Sequence, residues 1–374
     1  MGSKTVYFIG AGASNALFGL PTMANFFDKF SVENYPALSD FLKNYFVPSK
    51  ESGQLSGINN DFEENELEKI IRYIGLNLEE VVTALNLSLD RFGSFGNFSK
   101  GYLLDAINDF NKYVIERLKI NLDDINMDNK FGNICNKTKG IFEKIARKPV
   151  NNEHLGSIIT LNYDLGMDYI LYNFAEKGGI SSPDVLKPGT ILHRMYETLS
   201  GSAEITGYHP TLYSKEKDYG FYLKLHGSLD WLYCINEKCE NNRLFFPNRI
   251  YRKGFHDNKG DPCFLCGSPL SIAIVPPTLH KSFEKFPKLG LLWSLAHKKL
   301  QDAEKVVIFG VSFSPSDYYL NWLFRSSIGQ KRFEKPEIIV IDTDEGVRNK
   351  VEKIVGINPI YKNSIDEYLQ SGEN

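Results

Sequence analysis

The run FYLKLHGSLDW, Phe221–Trp231, carries the pattern around which the rest of the chain is organised. Apolar and polar residues alternate as far as His226, which predicts a β-strand, and Gly227 predicts a turn after it. His226 then lies at the C-terminal end of the strand, which is the edge of an open α/β sheet where ligands bind. An imidazole there is a candidate base, although a single histidine is more often structural.

A second strand and turn stand at the start of the chain. The apolar run Thr5–Ile9 predicts a short strand, and the sequence GAGAS, Gly10–Ser14, follows it at once. Glycines after a strand let the backbone approach a phosphate, and the N–H groups of the next helical turn point at its charge. This unit predicts a nucleotide-binding turn. Asn15 stands where the dehydrogenase fingerprint has a glycine, so a tight turn without a ligand is the alternative.

Polar residues follow two further predicted strands. The apolar run that starts at Ser157 ends in Asn162 and Asp164, whose side chains face the same way on extended backbone. The run Ile338–Ile341 ends in Asp342, and a carboxylate at that place suits the hydroxyl groups of a ribose. Helix capping is the alternative for both aspartates.

Two more apolar runs complete the predicted sheet. Ile272–Val275 and Val306–Phe309, like Ile338–Ile341, have the near-continuous hydrophobicity of strands that are covered on both faces. The second run is followed by the small-residue turn Gly310-Val311-Ser312. We therefore expect an α/β protein with a Rossmann-like parallel sheet.

Helical spacing dominates a long stretch after the first turn. Residues 24–151 show no strong strand signal, and they contain three amphipathic segments: Glu64–Asn77, Leu78–Leu89 and Ser99–Ile120. Ser99 is a candidate N-cap. Such stripes are typical of packed cores, and a cofactor role is the weaker alternative. We expect one catalytic domain, residues 1–374, that contains a helical insert at 24–151, with surface loops between Glu176 and Glu216.

Four of the five cysteines form two pairs, Cys234/Cys239 and Cys263/Cys266. Four thiolates satisfy a tetrahedral Zn²⁺ and leave no open position, so the pairs predict a structural zinc site. We expect residues 229–270 to form a small module like a zinc ribbon, although its first pair is wider than the common spacing. Cys135 is expected to be a buried thiol.

Composition excludes several classes of function. Hydrophobic residues at 42% and charged residues at 24% are ordinary globular values. A net charge of −3 carries no basic footprint, so no direct binding of nucleic acid is expected. No apolar run approaches the roughly 20 residues that span a bilayer, and Met1–Ser14 holds a strand instead of a signal peptide. We expect a cytoplasmic protein without a membrane segment.

Taken in order, five motifs resemble those of the sirtuin family. They are GAGAS, the TLNYD of Thr160–Asp164, the LHG of Leu225–Gly227, the four cysteines and Gly310-Val311-Ser312. The chain looks most like the divergent sirtuin-like domains of bacterial antiphage defence systems, which also have a helical insert after the first turn. The resemblance implies that NAD⁺ binds across the C-terminal edge of the sheet.

The resemblance also implies a role for each matching residue. Three residues would be catalytic, namely His226, Asn162 and Asp164. His226 would act as the base, and the other two would lie by the nicotinamide ribose and carboxamide. Others would contact the cofactor, mostly at its phosphates and with the last by the adenosine ribose: Gly10, Ala11, Gly12, Ser14, Thr160, Gly310, Ser312 and Asp342.

Departures from the family favour hydrolysis of NAD⁺ to nicotinamide and ADP-ribose. Deacylating sirtuins carry Asp-Phe-Arg after the cofactor loop, where this chain continues with Thr22-Met23. Their acyl peptide adds to a strand edge, whereas Ile274–Leu279 contains two prolines that remove N–H donors. Protein deacylation or ADP-ribosyl transfer, an NAD or ADP-ribose sensor, and a structural subunit are the alternatives.

Unrestrained cleavage would drain the NAD pool of the host, so an inactive state is expected. We expect a homo-oligomer and an activating partner chain, such as an ATPase or a sensor of a defence system.

Overall fold

The computed structural model describes residues 4–46, 64–73, 75–76, 78–89, 98–120, 156–168, 170–171, 222–234, 236–240, 246–247, 262–263, 265–268, 270–274, 287–314, 317–331 and 334–371. The chain divides into two compact units, one built mainly from Leu20–Lys119 and the other from the segments on either side of it. The predictions for Cys135 and for Glu176–Glu216 lie outside the described residues. The predicted bounds of the insert and of the zinc module stay predictions.

Within these segments the strands are β1 (Thr5–Ile9), β2 (Ser157–Thr160), β3 (Tyr222–Lys224), β4 (Gly227–Cys234), β5 (Phe246–Pro247), β6 (Leu270–Ile274), β7 (Lys305–Phe309), β8 (Glu337–Ile341) and β9 (Ile360–Lys362). Six of them form a parallel sheet in the order β3-β2-β1-β7-β8-β9. This is the order of a doubly wound sheet that reverses direction between β1 and β7. The predicted Rossmann-like parallel sheet is confirmed.

The central strands end level with one another. Ile9 pairs with Thr160 of β2 and with Phe309 of β7, and Phe309 pairs with Ile341 of β8. This register brings the turns after β1, β2, β7 and β8 to one edge. A crevice opens at that edge of an open sheet where the strand order reverses. The register therefore places the predicted polar turns around the point where a ligand binds in this class of fold.

The remaining strands form a second sheet, in the order β5-β4-β6, with antiparallel pairing. This differs from the expectation for Ile272–Val275, whose described residues belong to β6 and so lie outside the parallel sheet. Ala273 is buried, whereas Ile272 and Ile274 are partly exposed. An antiparallel sheet tolerates such one-sided cover, and a short apolar run does not distinguish it from a strand covered on both faces.

The helices are α1 (Ala11–Phe18), α2 (Pro36–Phe46), α3 (Glu64–Tyr73), α4 (Leu78–Leu87), α5 (Lys100–Leu118), α6 (Pro287–Gln301), α7 (Tyr318–Phe324), α8 (Gly346–Val355) and α9 (Ile365–Gln370). A π-helical turn, Arg325–Gly329, continues α7. None of the helices in the described part of the chain combines the length and apolar composition needed to cross a bilayer.

The smaller unit contains α2 to α5. Ser99 is the N-cap of α5, as predicted, and its hydroxyl oxygen accepts a hydrogen bond from the Tyr102 N–H. The predicted apolar face of α5 is largely buried, and the buried Tyr113 ring lies among Phe26, Phe27 and Phe30. The amphipathic pattern of α5 therefore marks a packed core, as the sequence indicated.

Candidate functional site

The turn after β1 packs directly against the turn after β7. The Gly12 N–H donates to the Gly310 carbonyl at 2.9 Å. A Cβ on Gly12 would lie 2.8 Å from the Gly310 Cα, and a Cβ on Gly310 would lie 2.1 Å from the Ala13 nitrogen. Gly310 also has a φ of +64°, which favours glycine. These glycines let the turn after β1 contact the turn after β7. From the sequence pattern, the glycines were expected to let the backbone approach a ligand.

The start of α1 offers a defined donor to an anion. The Gly12 N–H is bonded to Gly310, and the Ala13 N–H donates to the Gly10 carbonyl at 3.0 Å. The Ala11 N–H, at the first position of the helix, has no intrahelical acceptor. Backbone N–H groups at a helix N-terminus favour phosphate. Of the predicted phosphate contacts in this turn, the geometry is most favourable for Ala11.

Two further polar groups lie at the turn after β7. Ser312 is exposed, and its carbonyl accepts a hydrogen bond of 3.0 Å from the Lys350 ammonium group of α8. Lys350 therefore adds a positive charge beside the predicted phosphate contacts. Sequence reasoning missed it, because a lysine on an amphipathic helix looks like any solvent-facing charge.

Asn162, Ser14 and Asp164 form one hydrogen-bonded chain. The Asn162 amide nitrogen donates to the Gly10 carbonyl at 2.9 Å and to the Ser14 hydroxyl oxygen at 2.8 Å. The Ser14 hydroxyl in turn donates to the Asp164 carboxylate at 2.7 Å. These groups come from the turns after β1 and β2, which therefore contact each other at this edge of the sheet. A phosphate role for Ser14 stays a prediction, since its hydroxyl hydrogen is directed at Asp164.

The amide of Asn162 has a fixed orientation. Because a carbonyl oxygen only accepts hydrogen bonds, the contact with Gly10 identifies the nitrogen side of the amide. Both N–H bonds of the amide are used, and no described residue donates to its Oδ1. The side chain is only partly buried. Asn162 therefore presents an acceptor oxygen that can receive a hydrogen bond from water or from a ligand.

Thr160 supports the hydrogen-bonded chain of Asn162, Ser14 and Asp164. Its hydroxyl donates to the Ile9 carbonyl at 3.0 Å and accepts from the Asn162 backbone N–H at 3.1 Å. The side chain is buried, with 2% exposed. Thr160 thus joins the ends of β1 and β2, and a direct cofactor contact stays a prediction.

Asp164 is buried and has two structural partners. One carboxylate oxygen accepts from Ser14, and the other accepts from the Gly166 N–H at 2.9 Å, at the start of a helical turn. Asp164 therefore caps this helical turn, which was the predicted alternative, and it also contacts Ser14 of the candidate site. Burial raises the pKa of Asp164, an effect that the charge of Lys224 and the bonds from Ser14 and Gly166 oppose.

A buried ion pair lies behind Asp164. The Lys224 ammonium group donates to the Asp168 carboxylate at 2.9 Å and to the Asp164 backbone carbonyl at 2.7 Å. The Tyr222 hydroxyl donates to the same Asp168 oxygen at 2.8 Å. Lys224 is fully buried. Sequence reasoning missed this cluster, because Lys224 and Tyr222 occupy the positions of an alternating strand that usually face solvent.

His226 lies in the turn after β3, two residues beyond the last residue of the strand, whereas the sequence predicted that the strand extends to His226. It is 3% exposed, and its ring is 6.0 Å from the Trp293 ring and 6.1 Å from the Tyr163 ring, measured between centroids. The Leu225 N–H donates to the Thr160 carbonyl at 2.9 Å, so the His226 turn adjoins the turn that carries Asn162. The Trp293 indole N–H donates to the Leu225 carbonyl at 3.0 Å and holds this turn from α6.

Asp342 follows β8 and lies apart from that hydrogen-bonded chain. Its carboxylate accepts from the Asp344 N–H at 2.9 Å, and its backbone carbonyl accepts from the Tyr361 hydroxyl at 2.7 Å. The predicted capping alternative is not what the structure has, since Asp344 accepts from the Gly346 N–H at the start of α8. Partial burial raises the pKa of Asp342. Asp342 remains accessible to a ligand at this edge.

The four predicted metal ligands come together. The sulfur atoms of Cys234, Cys239, Cys263 and Cys266 all lie within 4.8 Å of one another. Two of the S···S distances are 3.5 Å and 3.9 Å. Four thiolates about 2.3 Å from a tetrahedral Zn²⁺ lie about 3.8 Å apart. The residues therefore fit a structural zinc ion, as predicted.

Comparison with solved structures finds distant similarity to structures of Sir2 enzymes. A structure titled for the mechanism and regulation of Sir2 enzymes has 13% identity and a TM-score of 0.40, over 99% of this chain and 91% of that chain. A Sir2 homolog–NAD complex has 15% identity and a TM-score of 0.41, over 99% and 88%. A mutant Sir2 homologue bound to ADP-ribose has 14% identity and a TM-score of 0.42, over 99% and 90%.

At these low scores the similarities assign neither a family nor an activity to the chain. No protein-family model matches the chain, and no curated protein matches it. The two prolines of Ile274–Leu279, on which the case against peptide docking depends, lie outside the described residues.

Proposed function

We propose that the chain is an NAD⁺ hydrolase, which cleaves the bond between nicotinamide and ribose and releases nicotinamide and ADP-ribose. The observation that carries the proposal is the locked amide of Asn162. Its nitrogen is held by Gly10 and Ser14, and its oxygen points away from both. It follows β2 and bonds to the turn after β1, which borders the switch point between β1 and β7, and it lies beside the His226 turn.

The charges of the substrate define what the site has to supply. The bond from the ribose C1′ to the nicotinamide nitrogen breaks with its electron pair on the nitrogen, which turns a cationic pyridinium into a neutral base. The ribose carbon therefore passes through a state with oxocarbenium character. Such a reaction needs positioning and fixed dipoles more than it needs a strong acid.

Asn162 and His226 are suited to deliver water to that carbon. A water that donates one hydrogen to the Asn162 Oδ1 directs its lone pairs elsewhere, and the locked amide fixes this direction. As the oxygen bonds to C1′, the water loses a proton, and the His226 imidazole is the proposed acceptor. Imidazole suits this role near neutral pH. The products are nicotinamide, ADP-ribose and one proton.

The remaining predicted contacts hold the rest of the dinucleotide. The Ala11 N–H and the positive end of α1 favour the pyrophosphate, with Ser312 and the Lys350 ammonium group on its other side. Asp342 is proposed to accept hydrogen bonds from the adenosine ribose. Gly10, Gly12 and Gly310 act through the backbone, by letting the turns meet.

Product analysis after incubation with NAD⁺ tests the proposal. Wild-type protein is expected to release nicotinamide and ADP-ribose, and Asn162→Ala is expected to lower the rate about 10²- to 10³-fold, as for loss of one fixed polar group at a reacting centre. His226→Ala is expected to lower it about 10²- to 10⁴-fold, as for loss of a general base. Matched controls are Asn358→Ala, which removes an exposed partner of Arg348, and His297→Ala on α6.

Other outcomes would identify the rival functions. Nicotinamide release that strictly requires an acylated peptide would indicate a deacylase. Thermal stabilisation by NAD⁺ without any nicotinamide would indicate a sensor. Failure of every nucleotide to bind would indicate a structural subunit and would overturn the proposal.

We also propose that this activity serves as the effector of a bacterial antiphage defence system in the cytoplasm. The support is the resemblance of the ordered motifs. Unrestrained cleavage would empty the NAD pool of the host. The active form is therefore proposed to be a homo-oligomer that a partner chain activates. Cellular NAD⁺ measured after phage infection is expected to fall with the intact chain and to stay level with Asn162→Ala.

A further inference from the structure

We propose that Lys224 is a positioning residue of this site: its charge favours the ionised form of Asp164, and ionised Asp164 sets the direction of the hydrogen bonds that hold Asn162. The inference rests on the proposed function, which assigns Asn162 to the reacting carbon. Lys224 itself is fully buried behind the site and is not proposed to touch substrate.

The geometry connects Lys224 to Asn162 in three steps. Lys224 contacts the Asp164 backbone carbonyl at 2.7 Å, and its charge acts on the Asp164 carboxylate. That carboxylate accepts from the Ser14 hydroxyl at 2.7 Å, and the Ser14 oxygen accepts from the Asn162 amide at 2.8 Å. Every link lies in the unit that contains the parallel sheet.

The direction of these bonds depends on the charge of Asp164. An ionised carboxylate only accepts, so Ser14 must donate its single hydrogen to it and keeps its lone pairs for Asn162. A protonated Asp164 instead becomes a donor to Ser14. Ser14 then accepts from both Asp164 and Asn162 and its own hydrogen loses its acceptor, so the bond from Asn162 is no longer strengthened by a neighbouring bond to a charged group. The hold on Asn162 therefore weakens when Asp164 takes up a proton.

Burial makes the charge of Asp164 sensitive to its neighbours. Desolvation raises the pKa of this carboxyl group, and Lys224 is the strongest opposing influence. The other charged group that acts on it is Asp168, which has the same sign and raises the pKa. Gly166 and Ser14 contribute hydrogen bonds. Lys224 thus sets the pH below which the site loses its working arrangement.

The test compares pH profiles of nicotinamide release. The rate of nicotinamide release is expected to fall at low pH as Asp164 takes up a proton, and this fall is the acid limb of the profile. In Lys224→Gln the acid limb is expected to move to higher pH by about one unit, because the positive charge that opposes protonation of Asp164 is absent. Lys224→Gln leaves Asp168 buried without its cation, so the double variant Lys224→Gln, Asp168→Asn retains a neutral hydrogen-bonded pair. It is expected to shift the limb in the same direction but by less. A purely structural role would lower the rate equally at all pH values.

The matched control removes an ion pair from the opposite edge of the same sheet. Lys305 and Glu337 are the first residues of β7 and β8, 3.3 Å apart between their charged atoms. The variant Lys305→Gln, Glu337→Gln is expected to leave the acid limb where it is. A shift in this control as large as that in the Lys224 variants would overturn the inference.

A measurement made in the absence of substrate tests this inference separately from the proposed function. The infrared C=O band of the protonated Asp164, identified by its loss in Asp164→Asn, is expected to appear at higher pH in the Lys224 variants than in wild type. The band follows Asp164 itself and so distinguishes it from titration of His226. Unchanged titration of the band overturns the inference. A shifted band in a protein that never cleaves NAD⁺ overturns the proposed function alone.

Discussion

The two aspartates that follow β2 and β8, Asp164 and Asp342, lie at the same edge of one sheet, yet their surroundings differ. Asp164 is buried, and its carboxylate bonds to Ser14, which lies 150 residues away in the chain. Asp342 is partly exposed, and its carboxylate bonds to the backbone of the next two residues. The carboxylate after β2 is therefore held by a residue that is distant in the sequence, whereas the carboxylate after β8 belongs to a local turn.

The difference separates two kinds of functional residue. A side chain that is buried and bonded across strands has one arrangement, and it can hold a reacting group such as Asn162 in place. A side chain in a local turn at the surface can exchange its partners when a ligand arrives. We therefore propose that Asp164 supports the site and that Asp342 contacts the ribose.

Substitution of each aspartate by alanine is the largest test of this comparison. Asp164→Ala leaves the Ser14 hydroxyl without its acceptor and removes a charge beside Lys224, which is buried. We expect the free energy of unfolding to fall by about 3–5 kcal/mol, because the buried donors of Ser14 and Gly166 both lose their acceptor, at about 1–3 kcal/mol each. Urea unfolding followed by circular dichroism measures it.

Asp342→Ala is the matched substitution at the other strand end. It removes an exposed turn contact, so we expect a loss of about 1 kcal/mol or less. Its main expected effect is a higher KM for NAD⁺ with little change in kcat. Equal losses of stability in the two variants would contradict the distinction between the two strand ends.

The contact between the β1 and β7 turns gives the next largest effect. In Gly310→Ala the new Cβ meets the Ala13 nitrogen at 2.1 Å, and the φ of +64° is unfavourable as well. We expect a loss of about 2–3 kcal/mol. Gly19→Ala is the control, since its φ is +70° and nothing lies within 4 Å of a Cβ there. It should cost about 1 kcal/mol from backbone strain alone.

Local patterns in the sequence predicted the strands and the polar turns, because an apolar run followed by glycine or asparagine is contained in a few adjacent residues. The same patterns placed His226, Asn162 and Asp164 at strand ends. They could not show that Gly12 bonds to Gly310, or that Asn162 and Asp164 both bond to Ser14, because those contacts join distant segments.

Buried charge was the second limit of the sequence patterns. Lys224 alternates with apolar neighbours and so resembles a solvent-facing residue, while its partner Asp168 lies 56 residues earlier in the chain. The edge strand β9 was also missed, since three residues carry too little periodicity. β6 was predicted as a strand but assigned to the wrong sheet, because an apolar run does not specify its pairing.

Two tyrosines, one near each of the two strand ends, test the same comparison through smaller losses of stability. Tyr222 donates to the buried Asp168 carboxylate at 2.8 Å, and Tyr361 donates to the Asp342 carbonyl at 2.7 Å. Tyr222→Phe is expected to cost about 2 kcal/mol, the value for a hydrogen bond to a charged group. Tyr361→Phe, with a neutral and partly exposed acceptor, is expected to cost about 0.5–1 kcal/mol. Thermal and urea unfolding of the pair measure the difference, and a larger loss in Tyr361→Phe would contradict it.

The pH dependence of stability gives the smallest and most specific effect. Burial raises the pKa of Asp164 above its unfolded value of 3.8, so the folded state holds the proton more tightly. The stability contributed by this proton is complete below pH 3.8 and is lost as the pH rises through the folded pKa. Asp164→Asn lacks the titration, so the stability of wild type relative to this variant should fall over that window. The slope is limited to about 1.4 kcal/mol per pH unit for one group.

Asp342→Asn is the control for this titration. Burial also raises the pKa of Asp342, so the sign is the same, but the group is half-exposed and solvent screens its charge. We expect its pH window to be narrower than that of Asp164. Urea unfolding of both variants across the acid range tests this. A wider window for Asp342 would mean that the β8 end, and not the β2 end, is the one isolated from water.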